Sequence, residues 1–248
     1  MPKEQSQTVV NALRLLECFS TEEEIGISDL ASYIGVGKAV AARLVGSLME
    51  FGYLQQNPKT RKYRLGPKLA YWGSLVRERS EIASLAEPTL RALSQKFQVT
   101  AHLALRDHYA VRIACKVTMG PIVYMSSRVG STLPIHACAM GKCLLAYEED
   151  QVISEFLNAY ALTRLTEQTI TDPEDFRQEL LQVRSNGYAM DNEESNIGLT
   201  CFAVPLFDSG GHAVAAMSLS GQTTFMKKYA EIIIFHLKKE SKKLSAYL

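Results

Sequence analysis

Apolar residues recur at helical spacing in the first part of the chain. Residues 8–19 carry Val9 and Leu13 about one turn apart, which predicts an amphipathic helix. An acidic Thr-Glu-Glu-Glu loop follows, and Ser28 is a suitable cap for a short second helix over residues 29–34. The Gly-Val-Gly sequence after this helix predicts a turn into a third helix.

The third helix is predicted from Lys38 to Phe51. Helical spacing places four apolar residues on one face: Val40, Leu44, Leu48 and Phe51. The other face carries Lys38, Ala39, Ala42, Arg43, Gly46 and Glu50. Gly52 is suited to end the helix, and residues 53–65 are predicted to form a strand, a turn and a second strand. Three helices followed by such a hairpin predict a winged helix-turn-helix.

Positive charge is concentrated around this hairpin. The whole chain has a net charge of +1, but residues 35–68 hold seven Lys or Arg against one acid, and seven minus one gives +6. In a winged helix-turn-helix the third helix enters the major groove of double-stranded DNA and the hairpin lies along the phosphates. The predicted DNA-binding residues are Lys38, Ala39, Ala42, Arg43, Lys59, Arg61 and Lys62. The alternative is a solvated basic hairpin on a helical domain that does not bind DNA.

A nucleotide site is not predicted, although Gly-Val-Gly-Lys at residues 35–38 is similar to the end of a phosphate-binding loop. Such a loop needs an earlier glycine where this chain has Ser32, and a Ser or Thr where it has Ala39. In such a loop the backbone amides wrap the phosphates and the hydroxyl holds magnesium. The two glycines are better explained as a turn between helices.

Composition narrows the remaining classes of protein. No apolar run in the 248 residues approaches the ~20 that a membrane span needs, so a cytoplasmic protein without membrane contact is expected. The five cysteines are odd in number and lack Cys-x-x-Cys spacing, which indicates neither a disulfide framework nor a zinc site. No cofactor and no metal are predicted.

The second part of the chain has a different pattern, after a linker helix that begins at Pro67. Helices are predicted near residues 85–97, 139–146, 150–158 and 174–186, with a last helix that holds Ile233, Leu237 and Leu244. Strands are predicted over residues 100–105, 111–117, 122–126, 202–207 and 213–219. An Asp-Ser-Gly-Gly turn joins the last two strands. The fold class is therefore α+β, with an antiparallel sheet in this part.

Several motifs are similar to those of the IclR-type bacterial transcriptional regulators, and the resemblance covers nearly the whole chain. The first part carries Leu-Ala-x-x-x-Gly-Val-Gly-Lys, AARLVGSLMEFGYL and YRLG. The second part carries RVGSTLPIHACAMGKCLLA, GYAMDNEESNIGLTCFAVPLFD and SLSG. The resemblance implies a winged helix-turn-helix at residues 1–66, a linker helix at 67–81 and a GAF-like effector domain at 82–248. It also implies a homo-oligomer, a dimer or a dimer of dimers, that binds paired DNA half-sites.

The chain departs from the family pattern at the start of the third helix. Relatives usually carry Lys-Ser-Thr there, whereas this chain has Lys38-Ala39-Val40. Ser and Thr hydrogen-bond phosphates or base edges, and Ala offers only apolar contact, for instance to a thymine methyl group. Arg43 and the basic hairpin are therefore expected to supply more of the DNA contacts.

The resemblance implies an effector pocket lined by Leu133, Ala139, Met140, Asp191, Leu199, Cys201, Ser218 and Ser220. A helix that opens near residues 138–140 leaves amides that bind a carboxylate without a basic side chain. Ser218 and Ser220 have the same strand parity, so both hydroxyls face one place. The expected effector is a small organic acid whose hydroxyl groups donate to Asp191. Relatives carry smaller residues at Ala139-Met140, so Met140 is expected to reshape the cavity.

Three alternatives remain open at this point. The first is a cysteine-dependent enzyme, since His136 lies near Cys138 and Cys143 in sequence, although no third group to orient the base is evident. The second is a ligand-binding protein whose helix-turn-helix has lost its function. The third is a metal cluster at the acids of residues 191–194, but loop acids are usually solvated and no histidine is near them. The expectation is that the protein is not an enzyme.

Overall fold

The computed structural model describes residues 5–78, 80–120 and 127–248. The chain divides into two compact units, Met1–Arg79 and Ser80–Leu248, and each is described by itself. No helix in these described ranges combines the length and the apolar character that are needed to cross a bilayer.

The described residues of the first unit form four α-helices, a short 3-10 helix (Cys18–Ser20) and one two-stranded hairpin. Its elements are α1 (Gln7–Glu17), α2 (Ile27–Ile34), α3 (Lys38–Glu50), β1 (Leu54–Gln56), β2 (Tyr63–Leu65) and α4 (Pro67–Glu78). The strands are antiparallel, with Leu54 opposite Leu65. The core is formed by Leu15, Phe19, Ile25, Leu30, Ile34, Leu44, Val45 and Leu54. The predicted winged helix-turn-helix is confirmed.

Gly52 ends α3 as predicted, through a specific pair of hydrogen bonds. Its φ of +77° lies in the left-handed region, which glycine adopts without strain. The N–H of Gly52 donates to the Met49 carbonyl at 2.9 Å, and the N–H of Tyr53 donates to the Leu48 carbonyl at 2.8 Å. This is a Schellman motif, and it satisfies two of the last helical carbonyls while turning the chain into β1.

Two details of the predicted helices are wrong. Ser28 does not cap α2, because the helix begins at Ile27 with Gly26 as the capping residue. A backbone bridge fixes this start: the N–H of Ile25 donates to the Tyr63 carbonyl at 3.0 Å, and the N–H of Tyr63 donates back at 2.9 Å. Phe51 does not lie on the buried face of α3. It is 67% exposed, since α3 ends at the preceding residue and the chain turns there.

In the residues that the structure describes, the second unit is a six-stranded antiparallel sheet with helices on both faces. Its strands are β3 (Thr100–Asp107), β4 (Ala110–Thr118), β5 (Thr132–Pro134), β6 (Ala189–Asn192), β7 (Leu199–Phe207) and β8 (Ala213–Gln222). Its helices are α5 (Glu81–Phe97), α6 (Ala139–Leu145), α7 (Asp150–Ala159), α8 (Pro173–Asn186), α9 (Thr223–Lys228) and α10 (Ala230–Ser245). The strand order is β5-β4-β3-β8-β7-β6. The predicted α+β class and antiparallel sheet are confirmed.

Each face of this sheet has its own core. One face packs against α5 and α10, which bury residues such as Leu90 and Ile233. The other packs against α6, with α7 and α8 behind it, and buries Cys201 and Met140. The sequence pattern missed β5, β6 and α9, because three to six residues are too few to establish a period. The predicted strand at residues 122–126 lies outside the described residues.

Candidate nucleic-acid interface and ligand pocket

The exposed face of α3 carries the four contact residues predicted on this helix. Lys38, Ala39, Ala42 and Arg43 are all exposed, whereas Leu44 is buried in the core. Two of the four are alanines and offer no polar group. The charged groups that α3 presents to a phosphate or a base edge are therefore the ammonium of Lys38 and the guanidinium of Arg43.

The turn between β1 and β2 presents the other three predicted residues, Lys59, Arg61 and Lys62, all exposed. Asn57 organises this turn: its N–H donates to the Lys62 carbonyl at 2.8 Å, and its side-chain oxygen accepts from the Lys59 N–H at 2.9 Å. Arg61 has a φ of +58°, and its N–H donates to the Asn57 carbonyl at 2.9 Å. The left-handed conformation is uncommon for a residue other than glycine, so the turn has a defined shape.

A small cavity lies between α6 and the sheet in the second unit. Its volume is about 50 Å³. It is lined by all eight residues of the implied pocket, Leu133, Ala139, Met140, Asp191, Leu199, Cys201, Ser218 and Ser220. The other lining residues are Ser127, Pro134, Cys138, Ser195 and Asn196. Ser195 and Asn196 follow the acids of the quoted GYAMDNEESN motif, which is the signal that could have identified them.

The start of α6 forms one wall of this cavity. Gly141 lets the helix pack closely, because a Cβ there would lie 2.1 Å from the Ile135 carbonyl oxygen. The Cys138 sulfur accepts a hydrogen bond from the Gly141 N–H at 3.3 Å. The N–H groups of Ala139 and Met140 have no acceptor in the described part of the chain. Two amide donors are therefore available at this wall.

Three adjacent strands form the opposite wall. In their register, Asp191 of β6 lies opposite Cys201 of β7, which lies opposite Ser220 of β8. Ser218 is two residues away on the same face, as its parity predicted, and both serines are 1% exposed. Within the described residues, the Ser218 hydroxyl has no hydrogen-bond partner. A buried hydroxyl without a partner is costly, so this one is available to a bound molecule.

Asp191 is already engaged with its own loop. One of its carboxylate oxygens accepts from the N–H groups of Glu194 at 2.8 Å and Ser195 at 3.3 Å. The other accepts from the Ser195 hydroxyl at 2.6 Å. Burial raises the pKa of Asp191, and these hydrogen bonds oppose the rise. The carboxylate therefore fixes the position of Ser195 in the cavity wall and keeps lone pairs for a further donor.

A buried cluster of charges in the second unit was not predicted from the sequence. Lys142 is 1% exposed, and its ammonium donates to Glu194 at 2.7 Å and to Glu179 at 2.8 Å. Burial opposes the charged form, but the two carboxylates raise the pKa of Lys142 above its ordinary value. The expectation that the acids of residues 191–194 are solvated is wrong for two of them, since Asp191 and Glu194 are buried.

The groups of the alternative enzyme site do not form a reactive thiol. Burial raises the pKa of Cys138 to about 12 and also raises the pKa of Cys143. Both thiols therefore stay protonated near neutral pH, whereas a nucleophile needs the thiolate. The ring Nε2 of His136 lies 2.9 Å from the Thr163 carbonyl oxygen, so this side chain is hydrogen-bonded to the backbone. Among the described residues, no group of three His, Cys, Asp or Glu could hold a metal ion.

Both units of the chain are similar to domains of known proteins. Residues 8–58 match the model of the IclR helix-turn-helix domain, and residues 75–246 match the bacterial transcriptional regulator IclR C-terminal domain. The chain is 35% identical over 223 residues to the HTH-type transcriptional regulator XynR of Escherichia coli (strain K12), covering 88% of this chain and 87% of the relative. It is 31% identical over 242 residues to KdgR of the same strain, covering 97% and 92%.

Solved structures are similar over nearly the full length. The crystal structure of the Thermotoga maritima IclR has a TM-score of 0.78 at 29% identity, covering 96% of this chain and 98% of that one. An IclR homologue from Microbacterium hydrocarbonoxydans, crystallised in complex with 4-hydroxybenzoate, has a TM-score of 0.84 at 25% identity, covering 97% and 98%.

Proposed function

Because the chain belongs to the IclR family of bacterial transcriptional regulators, we propose that its first unit binds DNA through α3 and the hairpin, and that its second unit binds a small organic acid. The observation that carries the proposal is the cavity beside α6. Eight residues implied by the family motifs line it together, and one of them, Ser218, has a buried hydroxyl without a partner among the described residues.

The donors of the cavity favour an acid over a neutral or cationic effector. The amides of Ala139 and Met140 and the hydroxyl of Ser218 are available to donate to a carboxylate. No Lys or Arg belongs to the described lining, so recognition rests on these neutral donors. Asp191 faces the same space and suits a hydroxyl group on the effector.

The volume of the cavity favours a short aliphatic acid. One water needs ~10–15 Å³ on this measure, so about 50 Å³ accommodates only a few non-hydrogen atoms. The Microbacterium relative holds an aromatic acid, 4-hydroxybenzoate. Met140 is a larger residue than the family usually carries at its position, and it is 4% exposed, so it reduces the space for a ring.

A thermal-shift screen tests the pocket. The compounds to screen are lactate, pyruvate, propionate and 4-hydroxybenzoate. All four carry a carboxylate, and they differ in the hydroxyl group, keto group or aromatic ring that accompanies it. A true effector at about one hundred times its Kd should stabilise the fold by ~3 kcal/mol, because it binds only the folded state. The stabilisation should shrink in Ser218→Ala and persist in Ser209→Ala, a change in an exposed turn. No stabilisation by any small carboxylate would contradict the acid pocket.

Arg43→Ala should weaken binding to DNA by at least ~1 kcal/mol if Arg43 contacts a phosphate or guanine. The reason is that α3 offers few polar groups besides this guanidinium. Gel shifts with a DNA duplex that the wild-type chain binds measure the effect. Arg91→Ala, which removes the same charge from the second unit, is the matched control and should leave affinity unchanged. Failure of the wild-type chain to bind any duplex would favour the alternative of a ligand-binding protein without DNA-binding function.

We also propose that the protein acts as a homo-oligomer, so that two DNA-binding units meet paired half-sites. In support, α1 and α4 expose large apolar side chains, among them Val9, Leu13, Trp72 and Val76. The effector then acts by binding two arrangements of the oligomer with different affinity.

A further inference from the structure

The acidic loop between α1 and α2 reaches the tip of the hairpin through one side chain. One carboxylate oxygen of Glu24 accepts from the Asn57 side-chain amide at 2.6 Å, and the other accepts from the Thr60 hydroxyl at 2.8 Å. Its neighbours Glu22 and Glu23 are exposed, and no side chain among the described residues pairs with them. Glu24 therefore differs from the rest of the loop.

The two partners of Glu24 are the residues that shape the basic turn. Asn57 accepts from the Lys59 N–H at 2.9 Å, and Thr60 accepts from the Lys62 N–H at 3.3 Å. Each side chain thus donates to Glu24 and accepts from the backbone of a basic residue. Because Glu24 accepts from the Asn57 amide and the Thr60 hydroxyl, it ties the basic turn to the loop between α1 and α2.

The position of this carboxylate conflicts with simple electrostatics. The turn carries Lys59, Arg61 and Lys62, and a surface that meets phosphate gains affinity when a nearby negative charge is removed. The two hydrogen bonds lower the pKa of Glu24, so it stays ionised at neutral pH. The carboxylate therefore has two opposed effects, since it repels DNA phosphate and also holds the two side chains that shape the basic turn.

We propose that Glu24 is a positioning residue for DNA binding: by holding Asn57 and Thr60 it fixes the turn so that Lys59, Arg61 and Lys62 face the phosphate backbone. This inference rests on the proposed contact between the hairpin and DNA. Removal of this acid is therefore expected to weaken binding to DNA, although the loss of a negative charge alone would strengthen it.

Glu24→Gln is the direct test, with Glu23→Gln as the matched control in the same loop. The probe is a fluorescein-labelled DNA duplex of mixed sequence, and fluorescence anisotropy at low ionic strength measures its affinity. Glu24→Gln should bind about five- to tenfold more weakly, since one hydrogen bond to a charged group is lost. Glu23→Gln makes the same change in charge and should bind equally well or more tightly. Equal gains for both variants would overturn the proposal.

The salt dependence separates positioning from general loss of structure. Glu24→Gln should show a shallower slope of log affinity against log salt concentration, because fewer phosphates are neutralised. Thr60→Val removes the partner instead of the acid and should weaken binding in the same direction, and in combination with Glu24→Gln the losses should be less than additive. An unchanged slope in both single variants, or fully additive losses, would refute the positioning role.

A further variant distinguishes this inference from the proposed DNA contact. Replacement of Lys59, Arg61 and Lys62 together by alanine should cost more affinity than Glu24→Gln. If this triple variant binds as the wild-type chain does, the hairpin does not contact DNA, and both proposals are wrong. If it weakens binding while Glu24→Gln does not, only the role of Glu24 is wrong.

Discussion

Lys142→Met is expected to lower the free energy of unfolding by about 3–5 kcal/mol. Methionine keeps most of the aliphatic length but removes the ammonium, and Glu194, 4% exposed, then keeps a buried charge without its partner. Glu179 is less affected, since 24% of its side chain is exposed. Urea denaturation followed by circular dichroism measures the change.

Two further variants decide whether the buried charge is the cause. Lys142→Met combined with Glu194→Gln should be more stable than Lys142→Met alone, because the unpaired carboxylate is gone. Lys243→Met breaks an ion pair with Glu240 in which the lysine side chain is 58% exposed, and it should cost no more than ~1 kcal/mol. A similar small loss for Lys142→Met would show that the buried cluster contributes little.

Short sequence patterns predicted the elements whose form depends on residues close together in the chain. Helical periodicity identified α3, Gly52 identified its end, and the Asp-Ser-Gly-Gly turn identified the hairpin of β7 and β8. The error at Ser28 arose where a tertiary contact sets the boundary, whereas the error at Phe51 arose because α3 was predicted one residue too long. The start of α2 depends on the bridge between Ile25 and Tyr63, two residues far apart in the sequence.

The candidate pocket was accessible from sequence only in part. Strand parity alone placed Ser218 and Ser220 together, but family motifs were needed to bring them to Asp191 and α6. Lys142 and Glu194 are 52 residues apart, and no periodic pattern in the sequence predicts that they pair. An isolated lysine within the apolar stretch AMGKCLL is nevertheless a signal, since a lysine on a buried helix requires a carboxylate partner.

The second large effect is expected from His102, a fully buried residue of β3. It lies opposite Ser218 of β8 and Lys116 of β4, and its Nε2 is 3.1 Å from the hydroxyl of Ser127, which lines the cavity. Burial, together with the charge of Lys116, lowers its pKa from 6.5 to about 3. The side chain therefore stays neutral in the folded protein over the physiological range.

In the unfolded chain His102 keeps its ordinary pKa of 6.5, so the free energy of unfolding depends on pH. Between pH 6.5 and about 3 the unfolded state binds a proton that folded His102 does not, so stability is lost as pH falls through this window. The loss from this residue reaches about 3 kcal/mol near pH 4. His102→Gln keeps a polar side chain without this titration, so its stability should fall less steeply with acid than that of the wild type. Carboxylates contribute equally to the pH dependence of stability in the wild type and in His102→Gln. Parallel pH profiles of the two proteins would therefore mean that His102 is protonated as readily in the folded state as in the unfolded state.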